Sequence, residues 1–327
     1  MWYKVTISPN AQYPIPNTER PTPNTIMTAD SIDHPYRFDG PSTLDTARRY
    51  CEQLAKSHYE NFLVAGIFCP RQLRQHFYNI YAYCRISDDL SDEIGDPQKS
   101  LVLLDWWELE LDAMYSGNPR HPVFVALADT IDKFGIPADP FRDLLTAFRQ
   151  DQVTTCYPTY DALLGYCRNS ANPVGRLVLY LCGYSDAERQ ELSDHTCTAL
   201  QLANFWQDVT RDLDKDRIYI PQEDILCFGY SEEALVARQF RPEFAQLMQF
   251  QVERTKELFT AGARLGTMVD RRVRLDVEMF SRGGMEVLRL IELHGYDVLS
   301  RRPAISKRRQ LQMLLGRLFA GLFSRSH

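Results

Sequence analysis

Asp88 and Asp92 stand four residues apart in YCRISDDLSDE, and Asp208 and Asp212 stand four apart in QLANFWQDVTRDLDKDRIYIP. On an α-helix, residues at i and i+4 lie one above the other on the same face. Each pair is therefore an acidic ledge. Like charges at that spacing are mildly destabilising, so two such ledges call for a compensating cation. Carboxylates are hard oxygen donors. A few of them, with substrate phosphates completing the shell, suit Mg²⁺. Arg85 lies one turn before Asp88, and Arg217 follows soon after Asp212. Metal ions and guanidinium groups both neutralise the charge that develops when a diphosphate leaves. The chemistry these residues imply is ionisation of a diphosphate ester. A lone D-x-x-x-D is most often a solvated helix face. Here both pairs have strongly apolar neighbours, Tyr81, Tyr83, Ile86 and Leu90 for one and Phe205, Trp206 and Val209 for the other.

Such carboxylates need long helices to hold them, and the chain supplies a helical period almost throughout. Ser42 or Thr43 is placed to cap a helix through Tyr50, Leu54 and His58. Leu73, Phe77, Ile80, Tyr81 and Cys84 repeat at three and four, predicting a helix from Pro70 to about Asp92 that Gly95-Asp96-Pro97 ends. Further helices are predicted over about 98–116, 121–134, 138–152, 159–170, 173–182, 186–212, 231–238, 241–264, 268–281 and 283–296. Strand alternation is nearly absent, and no 20–50-residue repeat is visible. The expectation is an all-α fold, one helical bundle around a central cavity, spanning 44–303. Residues 1–43 carry seven prolines and no amphipathic period, which predicts a disordered or loosely ordered extension. Residues 304–327 predict a basic amphipathic helix, suited either to the surface of an anionic membrane or to packing on the bundle with solvated arginines.

Composition narrows the remaining classes. The chain has 327 residues, 44% hydrophobic and 24% charged, enough for a large core. A net charge of −6 argues against a nucleic-acid partner. None of the eight cysteines forms a C-x-x-C pair, which predicts free thiols in a reducing compartment. With no spanning apolar run and no signal-peptide pattern, the expected location is cytoplasmic, with peripheral membrane contact open.

The two aspartate motifs, together with the middle segment YCRNSANPVG at 166–175, resemble the squalene/phytoene synthase family over about residues 44–310. The resemblance implies the isoprenoid-synthase helical fold and use of a prenyl diphosphate. His58-Tyr59-Glu60-Asn61-Phe62, the Ser-Ala-Asn-Pro-Val-Gly form at 170–175 and Gly283-Gly284 are similar to the family's hydroxysqualene synthase branch of bacterial hopanoid pathways. That branch ionises presqualene diphosphate, rearranges the cation and adds water. Its pathway enzymes make presqualene diphosphate and later reduce the alcohol. The same resemblance implies the roles. Asp88, Asp92, Asp208 and Asp212, with Asn204, hold two or three Mg²⁺ ions, with Mn²⁺ a possible substitute. Arg85 and Arg217 grip the diphosphate, with His58 and Tyr81 beside them, and Tyr219 sits near the leaving group. Phe62, Tyr166, Ala171, Val174, Gly175 and Gln201 line a prenyl tunnel. His58 has the alternative of a hydrogen-bonded core histidine, and Tyr166 and Tyr219 of plain packing. Asp89 and Glu93 are expected to be solvated or behind the ligands, and Trp106-Trp107 to be core or interface. Where many relatives carry a tyrosine in the late helix this chain has Gly284, which suggests room for the captured water. Two other readings remain: a synthase that condenses two prenyl diphosphates head to head (squalene, dehydrosqualene or phytoene synthase), and a non-catalytic membrane-associated assembly factor.

Overall fold

The computed structural model describes residues 27–38, 40–57 and 71–305. His58, Phe62 and almost all of the 304–327 segment lie outside the described residues. The described chain is helical, and its only β pairing is the isolated bridge between Cys156 and Ile218. The all-α expectation is met. The helices are α1 (Leu44–Ser57), α2 (Arg74–Asp92), α3 (Pro97–Tyr115), α4 (Pro122–Phe134), α5 (Asp139–Gln150), α6 (Tyr160–Ser170), α7 (Asn172–Leu181), α8 (Ala187–Gln207), α9 (Val209–Leu213), α10 (Gln222–Cys227), α11 (Glu232–Val236), α12 (Pro242–Gly262), α13 (Leu265–Met268) and α14 (Arg271–Leu293).

Local chemistry sets several of these boundaries. Thr43 Oγ1 accepts from Thr46 N at 3.3 Å, capping α1. Asp96 accepts from Gln98 N at 3.0 Å and from Lys99 N, with Pro97 at the first helical position of α3. Gly135, at φ 62°, closes α4 in the left-handed conformation and donates to Ile131 O. Two boundaries differ from the sequence pattern. The helix predicted over 186–212 is interrupted at Asp208, whose backbone departs from helical values. Asp208 N still donates to Asn204 O, and Asp212 N to Asp208 O, both at 2.9 Å, so the i, i+4 spacing is kept across the break. The two helices predicted on either side of Ser281–Arg282 are one continuous helix, α14, because Gly283 and Gly284 remain inside it, both buried.

Cα proximity divides the chain into two compact units. The first comprises Met1–Thr154, Tyr166–Asp194 and Val269–Asp276; the second comprises Thr155–Gly165, His195–Met268 and Val277–His327. The first unit carries α2, which holds the first aspartate motif. Tyr83, fully buried, stacks near Trp107 with ring centroids 6.0 Å apart, and Trp107 packs on Phe124 at 4.4 Å. Tyr83 Oη donates to Phe141 O at 2.9 Å, and Trp107 Nε1 donates to Ser87 Oγ at 3.0 Å. These bonds satisfy the polar ends of buried aromatics and fix the rotation of α2 about its axis. Within the stretch read as loosely ordered, residues 28–38 pack on this unit: Ile32 and His34 are buried, and the His34 and Trp106 rings lie 5.0 Å apart.

In the second unit, Trp206 Nε1 donates to Thr255 Oγ1 at 2.8 Å, tying α8 to α12. The segment after α9 is held by Ile218 N donating to Thr155 O at 2.7 Å and Gln222 N to Tyr157 O at 2.9 Å. Gly284 faces a filled space. A Cβ built there would overlap the ring tip of Phe259 and meet Leu200 Cδ2 at 3.0 Å. The sequence reading of Gly284 as an opening for water is therefore corrected: this glycine lets an aromatic ring press on the helix backbone. No disulfide joins any of the seven described cysteines. Among the described residues, no helix is long and apolar enough to cross a membrane.

Candidate active site

The first aspartate motif sits at the C-terminal end of α2. Asp92 is exposed, Asp88 half-buried and Asp89 buried. Arg85, with only 11% of its side chain exposed, pairs with Asp89 through Nη2 and lies 3.5 Å from Asp88 through Nη1. Burial raises the Asp88 carboxyl well above the ordinary carboxylate range, and the neighbouring Asp92 charge adds to this; Arg85 opposes them. A cation entering here would reverse that balance. Asp151 also raises Asp88 electrostatically, and it accepts from Tyr166 Oη at 2.9 Å. The sequence assigned Tyr166 to a prenyl tunnel; its hydroxyl donates to this carboxylate. Asp89, expected to be solvated or behind the ligands, is the partner that holds Arg85. Tyr81, Ala171, Val174 and Gly175 are half-buried, and Val174 packs against the apolar core.

The second motif is more deeply buried. Asn204, Asp208 and Asp212 all have under a tenth of their surface exposed, and Gln201 is half-buried. Asp208 is held by a residue far along the chain. Arg302 Nε donates to its Oδ1 at 2.5 Å and Nη2 to its Oδ2 at 3.3 Å, with Arg211 3.7 Å away. Arg302 Nη2 also donates to Gln207 Oε1 at 3.1 Å, and Gln207 Nε2 donates to Pro303 O at 2.7 Å. The segment around Arg302 thus lies across the end of α8. Asp212, Arg217 and Tyr219 share a recess with about 210 Å³ of empty volume, part of it open to solvent. Phe205, Ile218 and Leu235 complete its apolar side. The Tyr219 ring stacks on Phe205 at 3.8 Å, nearly parallel, and on Tyr157 at 5.9 Å. Its plane is fixed by packing, and it borders the same recess as two charged residues of the motif.

Sequence reasoning missed Arg302, Gln207, Asp151 and Tyr36. Arg302 was visible only as one cation in a basic C-terminal run. A pair separated by 94 residues leaves no periodic signal. Among the described residues, no group of three or more His, Cys, Asp or Glu side chains converges as a ready-made metal cage. The acids come as helical pairs, a donor set of hard oxygens that leaves positions for water and phosphate oxygens. That set fits Mg²⁺ and not a soft thiophilic metal.

An all-helical chain with paired acidic motifs is the arrangement the comparisons with known proteins place among synthases acting on prenyl diphosphates. A family model described as squalene/phytoene synthase matches residues 55–309, and the chain belongs to that family. The 15-cis-phytoene synthase of Synechococcus elongatus is 29% identical over 282 residues, covering 83% of this chain and 92% of the relative. Among solved structures, squalene synthase HpnC from Alicyclobacillus acidocaldarius is 42% identical with a TM-score of 0.75, covering 78% of this chain and 96% of that one. A dehydrosqualene synthase crystallised with ligand is 25% identical with a TM-score of 0.75, covering 87% and 98%. The chain is thus similar to proteins named for different products. It is a prenyl-diphosphate-utilising enzyme of isoprenoid biosynthesis with the isoprenoid-synthase fold.

Proposed function

We propose that this enzyme ionises presqualene diphosphate, rearranges the resulting cation and captures it with water, giving hydroxysqualene and diphosphate. The 42% identity to squalene synthase HpnC across nearly all of that protein, set against 25–29% to the phytoene and dehydrosqualene synthases, supports the squalene side of the family, and water capture rests on the resemblance to the hydroxysqualene synthase branch. The Asn-Pro-Val-Gly segment at 172–175 and the His58–Phe62 segment support the same branch.

Asp88, Asp92, Asp208, Asp212 and Asn204 would hold Mg²⁺, which when bound supplies positive charge to the departing diphosphate. Arg85 and Arg217 add guanidinium donors to the same oxygens, with Tyr81 and His58 beside them. The depth of Asn204, Asp208 and Asp212 strengthens the interactions made by these three residues by keeping solvent away. Phe62, Ala171, Val174, Gly175 and Gln201 are assigned to the hydrocarbon tails. The proton of the captured water leaves to the diphosphate or to Tyr219. Supply of the substrate and reduction of the product fall to separate pathway enzymes. Association with the membrane face, through 304–327, is part of the same proposal.

The experiment is incubation of purified protein with presqualene diphosphate, Mg²⁺ and ¹⁸O-labelled water, without a nicotinamide reductant, followed by mass spectrometry. Labelled hydroxysqualene is the expected product. No turnover there, with C30 or C40 hydrocarbon formed from farnesyl or geranylgeranyl diphosphate, would replace this reading by head-to-head condensation. The phytoene synthase relatives favour that second reading.

A further inference from the structure

Arg85 is central to the proposed diphosphate grip, and its guanidinium is placed by a chain of contacts that begins outside the two aspartate motifs. Tyr36 Oη donates to Asp89 Oδ2, and the Arg85 guanidinium forms an ion pair with Asp89 Oδ1 through Nη2. One buried carboxylate therefore joins the N-terminal segment to the arginine. Tyr36 is itself anchored at its backbone, where its carbonyl oxygen lies 3.1 Å from His121 Nε2. Ile32 and His34, four and two residues earlier, are buried, so the segment cannot swing freely. Burial pushes the pKa of the Tyr36 hydroxyl above its ordinary value, and the Asp89 carboxylate pushes it further, so the group stays an O–H donor at any working pH. Arg85 keeps one buried donor, Nε, with no hydrogen-bond partner among the described residues.

Asp89 has two jobs that conflict unless its charge is shared. It must hold Arg85 in place, yet a bare carboxylate would pull the guanidinium onto itself and repel an incoming diphosphate. The Tyr36 hydroxyl takes up one carboxylate oxygen and leaves the other for Arg85. We propose that Tyr36 is a positioning residue of the diphosphate site, setting through Asp89 where the Arg85 guanidinium lies and how strongly it is held. This inference rests on the assignment of Arg85 to the diphosphate. It makes part of the N-terminal extension a component of the site.

The test uses Tyr36→Phe in the full-length protein, with inorganic pyrophosphate and Mg²⁺ as the probe in a calorimetric titration. Removing one hydrogen bond to a charged group predicts about ten-fold weaker pyrophosphate binding. KM for presqualene diphosphate should rise in parallel. A role confined to holding the fold together would lower the melting temperature and leave both affinities unchanged, which would overturn the inference. In an Asp89→Asn background the Tyr36→Phe effect should vanish, since both act through one carboxylate. Equal losses in both backgrounds would also overturn it. Arg85→Lys serves as the second background if Asp89→Asn does not fold. Arg85→Ala separates the two levels. If that change leaves pyrophosphate binding intact, the assignment of Arg85 fails; if it weakens binding while Tyr36→Phe does not, only the role of Tyr36 fails.

Discussion

Gly284→Ala adds a single methyl group at a position where the structure has no space for it. The new Cβ would overlap Phe259 Cζ and stand 3.0 Å from Leu200 Cδ2. Carbon contacts are most favourable at roughly 3.5–4.0 Å, so both neighbours must retreat. Phe259 is only 3% exposed, and Gly284 lies inside α14, so neither the ring nor the helix has a free direction to move. Overpacking of this kind costs about 1–3 kcal/mol, and two displaced neighbours argue for the upper half of that range. Replacing an interior helical glycine by alanine returns about 1 kcal/mol. The net expectation is a loss of about 1–2 kcal/mol. Urea unfolding, followed by far- and near-ultraviolet circular dichroism, should show a lower midpoint with an unchanged slope. With two compact units in the chain, coincidence of the two probes is needed before a free energy is extracted. In a Phe259→Leu background the same alanine should cost about 1 kcal/mol less, because the overlapping ring tip is gone. A Gly284→Ala protein as stable as the parent would refute the packing argument and restore the idea of an open space. Gly284→Tyr, which the sequence alone recommends as a probe of water capture, should unfold or distort this region before it reports on product ratio.

Asp276 is pushed up to about 7 by burial, with Asp270 adding to it, and its Oδ1 has no hydrogen-bond partner among the described residues. Its folded value lies above its unfolded value, so its contribution to stability is full below about pH 4 and is lost as pH rises through about 7. Asp276→Asn should flatten stability over that window by on the order of 2 kcal/mol after allowing for solvent screening, whereas parallel curves for parent and variant would exclude this carboxyl as the cause. Arg302→Gln removes the guanidinium that now neutralises buried Asp208, and should tighten Mn²⁺ binding to the substrate-free protein about ten-fold by electron paramagnetic resonance titration. Unchanged or weaker Mn²⁺ binding would make Arg302 a plain structural partner. Asp88→Asn and Asp208→Asn should each nearly abolish turnover with the helical spectrum intact, and full activity in either would remove that residue from the metal set.

Periodicity and spacing were enough to find most of the helices and both aspartate motifs, because those signals are local. Asp88 with Asp92, and Asp208 with Asp212, keep their one-turn relation even where the second helix breaks at Asp208. What was illegible came from contacts between residues far apart in the chain. Asp89 read as a bystander because its partners, Tyr36 and Arg85, differ in kind: one is a helical neighbour, the other lies 53 residues upstream in a proline-rich stretch. Low apolar content in that stretch predicts a poor core. It does not predict that a few side chains such as Ile32 and Tyr36 will dock on a core built elsewhere. Tyr166 was legible as a buried tyrosine but not as a donor to Asp151, since the identity of a buried hydroxyl's partner is set by tertiary packing. Gly284 misled in the opposite direction. Absence of a side chain in the sequence suggested absence of matter, whereas the volume is taken by a residue from α12.

In each motif, buried acids are compensated by arginines of the same chain. Asp89 and Asp88 share Arg85, and Asp208 is forked by Arg302 with Arg211 nearby. A buried carboxylate without a counter-charge is costly, and a protein that must offer several of them to a metal needs a way to fold before the metal arrives. Internal guanidinium groups answer that need. They also set a constraint on strength. A pair too tight would exclude Mg²⁺, and one too loose would leave the folded protein dependent on the ion. Arg85, shared between two carboxylates, and Arg302, shared between Asp208 and Gln207, both divide their donors among partners. Arg85, divided between two carboxylates, holds each less firmly than a dedicated bidentate pair would, whereas Arg302 grips both oxygens of Asp208.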